Sequence, residues 1–70
     1  MNQELTFDVS QEADGGFVAD AVGEDIFTQG DTWAELCRNV REAVRAHFFD
    51  RPAPASVRLH LVRAEVLSPA

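Results

Sequence analysis

The sequence predicts an α+β fold in the order β-β-β-α-β, with one helix packed on a four-stranded mixed sheet of strand order 3-2-1-4. Three observations carry that expectation. Apolar residues alternate with a period of two through the first thirty positions, change to a three-and-four spacing from Trp33 to Phe48, and return to alternation beyond Pro52 and Pro54. A single amphipathic helix on one face of a sheet is the simplest two-layer arrangement, and the right-handed crossover rule sets the last strand parallel to the first and beside it. At 70 residues the chain is expected to be one domain, 1–70.

Each element has its own local reason. Leu5, Phe7 and Val9 alternate with Thr6, Asp8 and Ser10, which gives the first strand one apolar face. Ala13-Asp14-Gly15-Gly16 follows, and its glycines are able to take the positive φ of a tight hairpin. A second strand is expected over 17–22, and Gly23-Glu24-Asp25 turns the chain into a short third strand over 26–29. Asp31 or Thr32 caps the helix, with Thr32-x-x-Glu35 matching a capping box. Trp33, Leu36, Cys37, Val40, Ala43, Val44, His47 and Phe48 then share one helical face. Glu35, Arg38, Asn39, Arg41, Glu42 and Arg45 fall opposite, and Glu35–Arg38 and Glu42–Arg45 are expected to pair, each worth about 0.2–0.5 kcal/mol. Arg51-Pro52-Ala53-Pro54 ends the helix, because proline lacks an amide hydrogen and drives the residue before it to extended geometry. Val57, Leu59 and Leu61 alternate with Arg58 and His60, so the last strand is expected over 56–66, with a bulge where Leu61 adjoins Val62 and a frayed tail at 67–70.

Composition narrows the function classes. The chain is 46% hydrophobic with five Phe and one Trp, the make-up of a folded domain rather than a disordered one. A domain this small buries only about 60% of its unfolded surface. A four-stranded sheet with open edges and one helix leaves apolar surface to cover, so a homodimer is expected. Net charge is −6, and it is segregated: positions 1–31 hold eight acids and no Lys or Arg, and the rest holds six Arg against four acids. Such a first half repels phosphate and attracts a basic partner, whereas the plainer reading is solvated faces that keep the domain soluble. Cys37 is the only cysteine and has no partner for an internal disulfide. Met1 to Leu5 holds neither the basic nor the apolar run of a signal peptide, and no uncharged apolar stretch approaches the roughly 18 residues of a membrane span, so a cytoplasmic protein is expected.

Few groupings suggest catalysis. Asp8 and Glu35 are the two carboxylates that a nuclease on a sheet of this kind would use, but alternation puts them on opposite sides of the sheet. Cys37 and His47 lie nearly three helical turns apart, about 15 Å, too far for one ion. Gly15-Gly16 precedes a strand, where a phosphate loop needs a helix N-terminus. No catalytic, cofactor or metal residues are therefore expected. Arg58, His60 and Arg63, with Arg38, Arg41 and Arg45, are the one basic grouping; without an aromatic stacking platform, direct nucleic-acid contact is not expected.

Three stretches taken together carry a resemblance: Asp14-Gly15-Gly16-Phe17-Val18-Ala19, then Phe27-Thr28-Gln29-Gly30-Asp31-Thr32, then Asn39-Val40-Arg41-Glu42-Ala43. In this order and spacing the chain resembles the HicB-like antitoxin family, across about residues 4–49. The resemblance implies a truncated ribonuclease-H-like core, dimerisation, and the binding and masking of a small basic RNA-cleaving toxin of the HicA type, with no catalysis by the domain itself. Many family members continue into a helix-turn-helix or ribbon-helix-helix segment; the chain resembles a short, solitary member without one, so operator binding by this chain alone is not expected. On this reading Glu24, Asp25 and Asp31 steer the basic partner. Phe49, about 100° round from the buried helical face, supplies apolar contact to a partner or a second copy, unless it packs under Pro52 and Pro54. The alternative is a structural or regulatory homodimer with no toxin.

Overall fold

The structure, a computed structural model, describes residues 4–61 and Pro69. Four strands and one helix follow one another as β1 (Glu4–Gln11), β2 (Phe17–Ala21), β3 (Phe27–Gly30), α1 (Trp33–His47) and β4 (Ser56–Leu61). They form a single sheet of order β3-β2-β1-β4, the α+β arrangement that the hydropathy pattern predicts. β1 is central, antiparallel to β2 with Val9 opposite Ala19, and parallel to β4 with Phe7 opposite Leu59. No helix among the described residues is long and apolar enough to cross a membrane.

The hairpin between β1 and β2 is built from its glycines and one aspartate. Gly15 takes φ +95°, the Gly15 amide donates to the Glu12 carbonyl at 2.9 Å, and the Gly16 amide donates to Asp14 Oδ1 at 3.0 Å. Gly23, at φ +84°, serves the β2–β3 turn. β2 closes one residue earlier than expected. Its last position is Ala21, yet Val22 still donates its amide to the Thr6 carbonyl at 2.8 Å while its side chain stands 56% exposed. β3 likewise runs one residue later, with Ile26 buried at the turn and Phe27 pointing away from the core.

Thr32 is the helix N-cap: its Oγ1 accepts from the Glu35 amide at 3.1 Å, and Glu35 Oε1 accepts in return from the Asp31 amide at 3.3 Å. The reciprocal pair is the expected capping box moved outward by one residue on the carboxylate side. At the other end the Phe48 amide donates to the Val44 carbonyl before the chain turns toward the prolines.

The core is one cluster. Leu5, Phe7 and Val9 from β1, Ala19 and Ala21 from β2, and Ile26 meet Leu36, Val40 and Val44 of α1. Phe7, Val9 and Leu36 are fully buried, each worth about 1.5–3 kcal/mol by removal from water. α1 lies over β3 and β2, and Gly30 is what allows the approach: a Cβ there would stand 2.5 Å from the Leu36 amide nitrogen. Among the described residues the opposite face of the sheet carries no helix. Asp8, Asp20, Arg58 and His60 occupy it, with Phe27 63% exposed.

Three expectations need correction. Trp33 is not part of the buried helical face; it is 41% exposed at the first turn, where it meets Phe17 edge-on at 5.4 Å. Cys37, on the helical face expected to be apolar, is only half-buried. The helical pairs Glu35–Arg38 and Glu42–Arg45 are not among the ion pairs of the described residues, because Glu35 is turned back to the Asp31 amide and the exposed guanidinium groups extend into solvent. The expected continuation of β4 to 66 and the bulge at Val62 lie outside the described residues, as does all of the 67–70 tail but Pro69.

Candidate interaction surface

The four residues expected to meet a partner do not form one patch. Glu24 sits in the β2–β3 turn and is engaged internally: its Oε1 lies 2.9 Å from His47 Nε2 and accepts from Arg51 Nη2 at 3.1 Å. The hydrogen bond with His47 holds the Glu24 carboxyl below its ordinary value of 4.5; burial opposes the shift, and the charge of Arg51 adds to it. Phe48 completes the group, with the Arg51 guanidinium 4.6 Å from its ring centroid and the His47 ring edge-on at 5.0 Å. This clasp ties the turn to the C-terminal end of α1. Glu24 is therefore a structural ligand of the helix end before it is a partner residue.

Asp25 is exposed beside it, and Phe49, 83% exposed, follows the same helix end. Phe49 is thus presented to solvent, not packed beneath the prolines. Asp31 lies at the far end: α1 separates it from Phe49 by 15 residues, about 22 Å of helix.

Asp31 instead joins a group of acids that the pattern of the sequence did not single out. The register that sets Phe17 opposite Gly30 brings the β1–β2 hairpin against the start of α1. Between them lies a shallow, open depression of about 760 Å³ in which Glu12, Asp14, Asp31 and Glu35 converge around Gly16 and Asn39. Each acid has a local explanation, as turn, cap or strand end, and their convergence becomes visible only when the strand register is known.

Of the basic grouping, the two described members on β4 are matched by β1 carboxylates. Arg58 Nε donates to Glu4 Oε2 at 2.9 Å, which raises the guanidinium further above its ordinary value, and His60 Nδ1 lies 3.6 Å from Asp8 Oδ1. Arg63 lies outside the described residues. Asp8 stands on the open face of the sheet and Glu35 on the side that α1 covers, so the two carboxylates do not share a site. Among the described residues no group of three or more His, Cys, Asp or Glu is placed to hold a metal ion.

Comparison with known proteins places this geometry in a family. No profile of a protein family matches the chain, and no solved structure does. A UPF0150 protein of Archaeoglobus fulgidus is 41% identical over 44 residues, which cover 63% of this chain and 67% of that relative. A UPF0150 protein of Thermotoga maritima is 39% identical over 61 residues, covering 87% of this chain and 86% of the relative. With that match running through nearly all of both proteins, the chain belongs to the UPF0150 family.

Proposed function

We propose that this chain is a HicB-like interaction domain of the antitoxin type, which acts as a homodimer and masks a small basic partner of the HicA type. The observation that carries the reading is the acidic pole at the start of α1, where Glu12, Asp14, Asp31 and Glu35 converge in an open depression. Carboxylates gathered on one pole accelerate encounter with a basic protein and set its orientation, and nearby apolar surface supplies the affinity. Masking then follows from mass action, since every toxin molecule held in the complex is withdrawn from its substrate.

The test is purification of the tagged protein from its native cells at low salt, with mass spectrometry of what accompanies it and light scattering of the complex. A stoichiometric small basic protein, encoded beside this one, is the expected result. Reversing Glu12 and Asp31 of this pole to Lys is expected to weaken that complex by about tenfold, or 1.4 kcal/mol. Unchanged binding would remove the electrostatic part of the reading. A clean homodimer with no companion would favour the second reading, a structural or regulatory dimer, which the partly exposed apolar side of β4 supports independently.

A further inference from the structure

The two edges of the sheet are not equivalent. β3 is short, four residues, and it is guarded: Asn39 Nδ2 donates to the Gln29 carbonyl at 2.7 Å, and Asp25 and Asp31 flank the strand. Short edges with charges beside them resist the addition of another strand. β4 has none of these devices among the described residues. It offers six residues, Ser56–Leu61, paired on one side only, with β1. Because α1 lies over β3 and β2, the apolar side of β4 is only partly covered among the described residues, with Leu59 packed against the core. Val57 and Leu61 are 38% and 41% exposed, whereas Leu5 and Val9, their neighbours on β1, are 7% and 0% exposed.

We propose that the β4 edge is the seam of the homodimer: β4 of a second copy pairs antiparallel with it about a two-fold axis at Leu59, joining the two sheets into one. The register follows from the side chains. Centring on Leu59 sets Leu59 against its own copy, Val57 against Leu61 and Arg58 against His60, so each of the three apolar residues gains an apolar neighbour across the seam. Centring on Arg58 would oppose two guanidinium groups, and directly opposed like charges destabilise a strand pair. Charge also selects this edge. Two copies of net charge −6 repel each other, most of all through the acids around β3 and the hairpin. β4 carries Arg58 and His60, each beside a β1 carboxylate, so a second copy meets its least acidic edge here.

The seam deepens the dimer part of the proposed function and makes no use of the toxin, so the two fail separately. Sedimentation and light scattering of the full chain over a range of concentrations should give twice the 7.7 kDa chain mass. Val57→Lys with Leu61→Lys should give a folded monomer by circular dichroism, while Phe27→Lys, on the other face, should leave the dimer intact. If the double variant fails to fold, Leu59→Cys in a Cys37→Ser background decides. Cα atoms directly opposite across an antiparallel pair are about 4.5–5.5 Å apart, within the range a disulfide bridges. Oxidation should then yield a covalent dimer, and Val57→Cys alone should not. A wild-type chain that is monomeric throughout would overturn the seam. So would a double-Lys variant that still dimerises, or a dimer in which Leu59→Cys does not cross-link.

Discussion

Gly30→Ala is the substitution on which the packing of α1 is most open to test. The added Cβ would stand 2.5 Å from the Leu36 amide nitrogen, 2.8 Å from Leu36 Cα and 3.0 Å from the Glu35 carbonyl carbon. All three are main-chain atoms of the first helical turn, so no rotamer change relieves the contact and α1 must move away by most of an ångström. Leu36 is fully buried; a side chain like it makes about 40–60 contacts of about 0.1–0.2 kcal/mol, and a gap of 0.5–1 Å forfeits about a quarter to a half of them. The loss is about 2–4 kcal/mol, set against the roughly 0.5–1 kcal/mol by which Ala outdoes Gly within a strand. A net destabilisation of about 2–3 kcal/mol is therefore expected, a large share of the stability of a domain this small. Urea unfolding followed by circular dichroism should show a lower midpoint with an unchanged slope. Gly15→Ala is the control, with φ +95° but nothing within 4 Å of its Cβ; strain alone should cost it about 1–2 kcal/mol. If Gly30→Ala unfolds at the wild-type midpoint, or is no worse than the control, α1 does not rest on β3 as closely as described.

Two further perturbations address single contacts. Thr32→Ala removes the oxygen that accepts from the Glu35 amide and should cost about 1 kcal/mol, seen as a melting temperature lower by about 4–8 °C; an unchanged melt would mean that the cap does not hold the helix start. Glu24 has a carboxyl whose value is depressed on folding by its hydrogen bond to His47. Its stabilising contribution is therefore complete above its unfolded value and is lost as pH falls through the lower folded one. Urea midpoints of the wild type and Glu24→Gln should accordingly differ at about pH 6 and converge by about pH 3; a difference that persists unchanged would show that the clasp is not ionic.

What could be read in advance was what local chemistry decides. Leu5, Phe7 and Val9 announce their face because a strand has a period of two, and Thr32 with Glu35 announces a helix start because their spacing satisfies free amides. Trp33 shows where periodicity fails: it has the right spacing but is the first helical residue, beside Phe17 at the start of β2, and stays 41% exposed. The role of Glu24 was hidden for a different reason, since its partners are 23 and 27 positions away in sequence and only the packing of α1 brings them near. The acidic depression depends likewise on the Phe17–Gly30 register, which alternation alone does not specify to the residue.

The parallel pairing of β1 with β4 has a consequence for the order of assembly. Leu5 lies beside Val57, so the central strand gains its second neighbour only after almost the whole chain is available. The hairpin and α1 are built from local contacts and form quickly, whereas closing a loop of this length is slow. During synthesis β1 therefore waits with one side bare, next to a meander whose acids repel other nascent copies. Eight acids and no Lys or Arg in positions 1–31 thus work against the pairing of one half-made sheet with another.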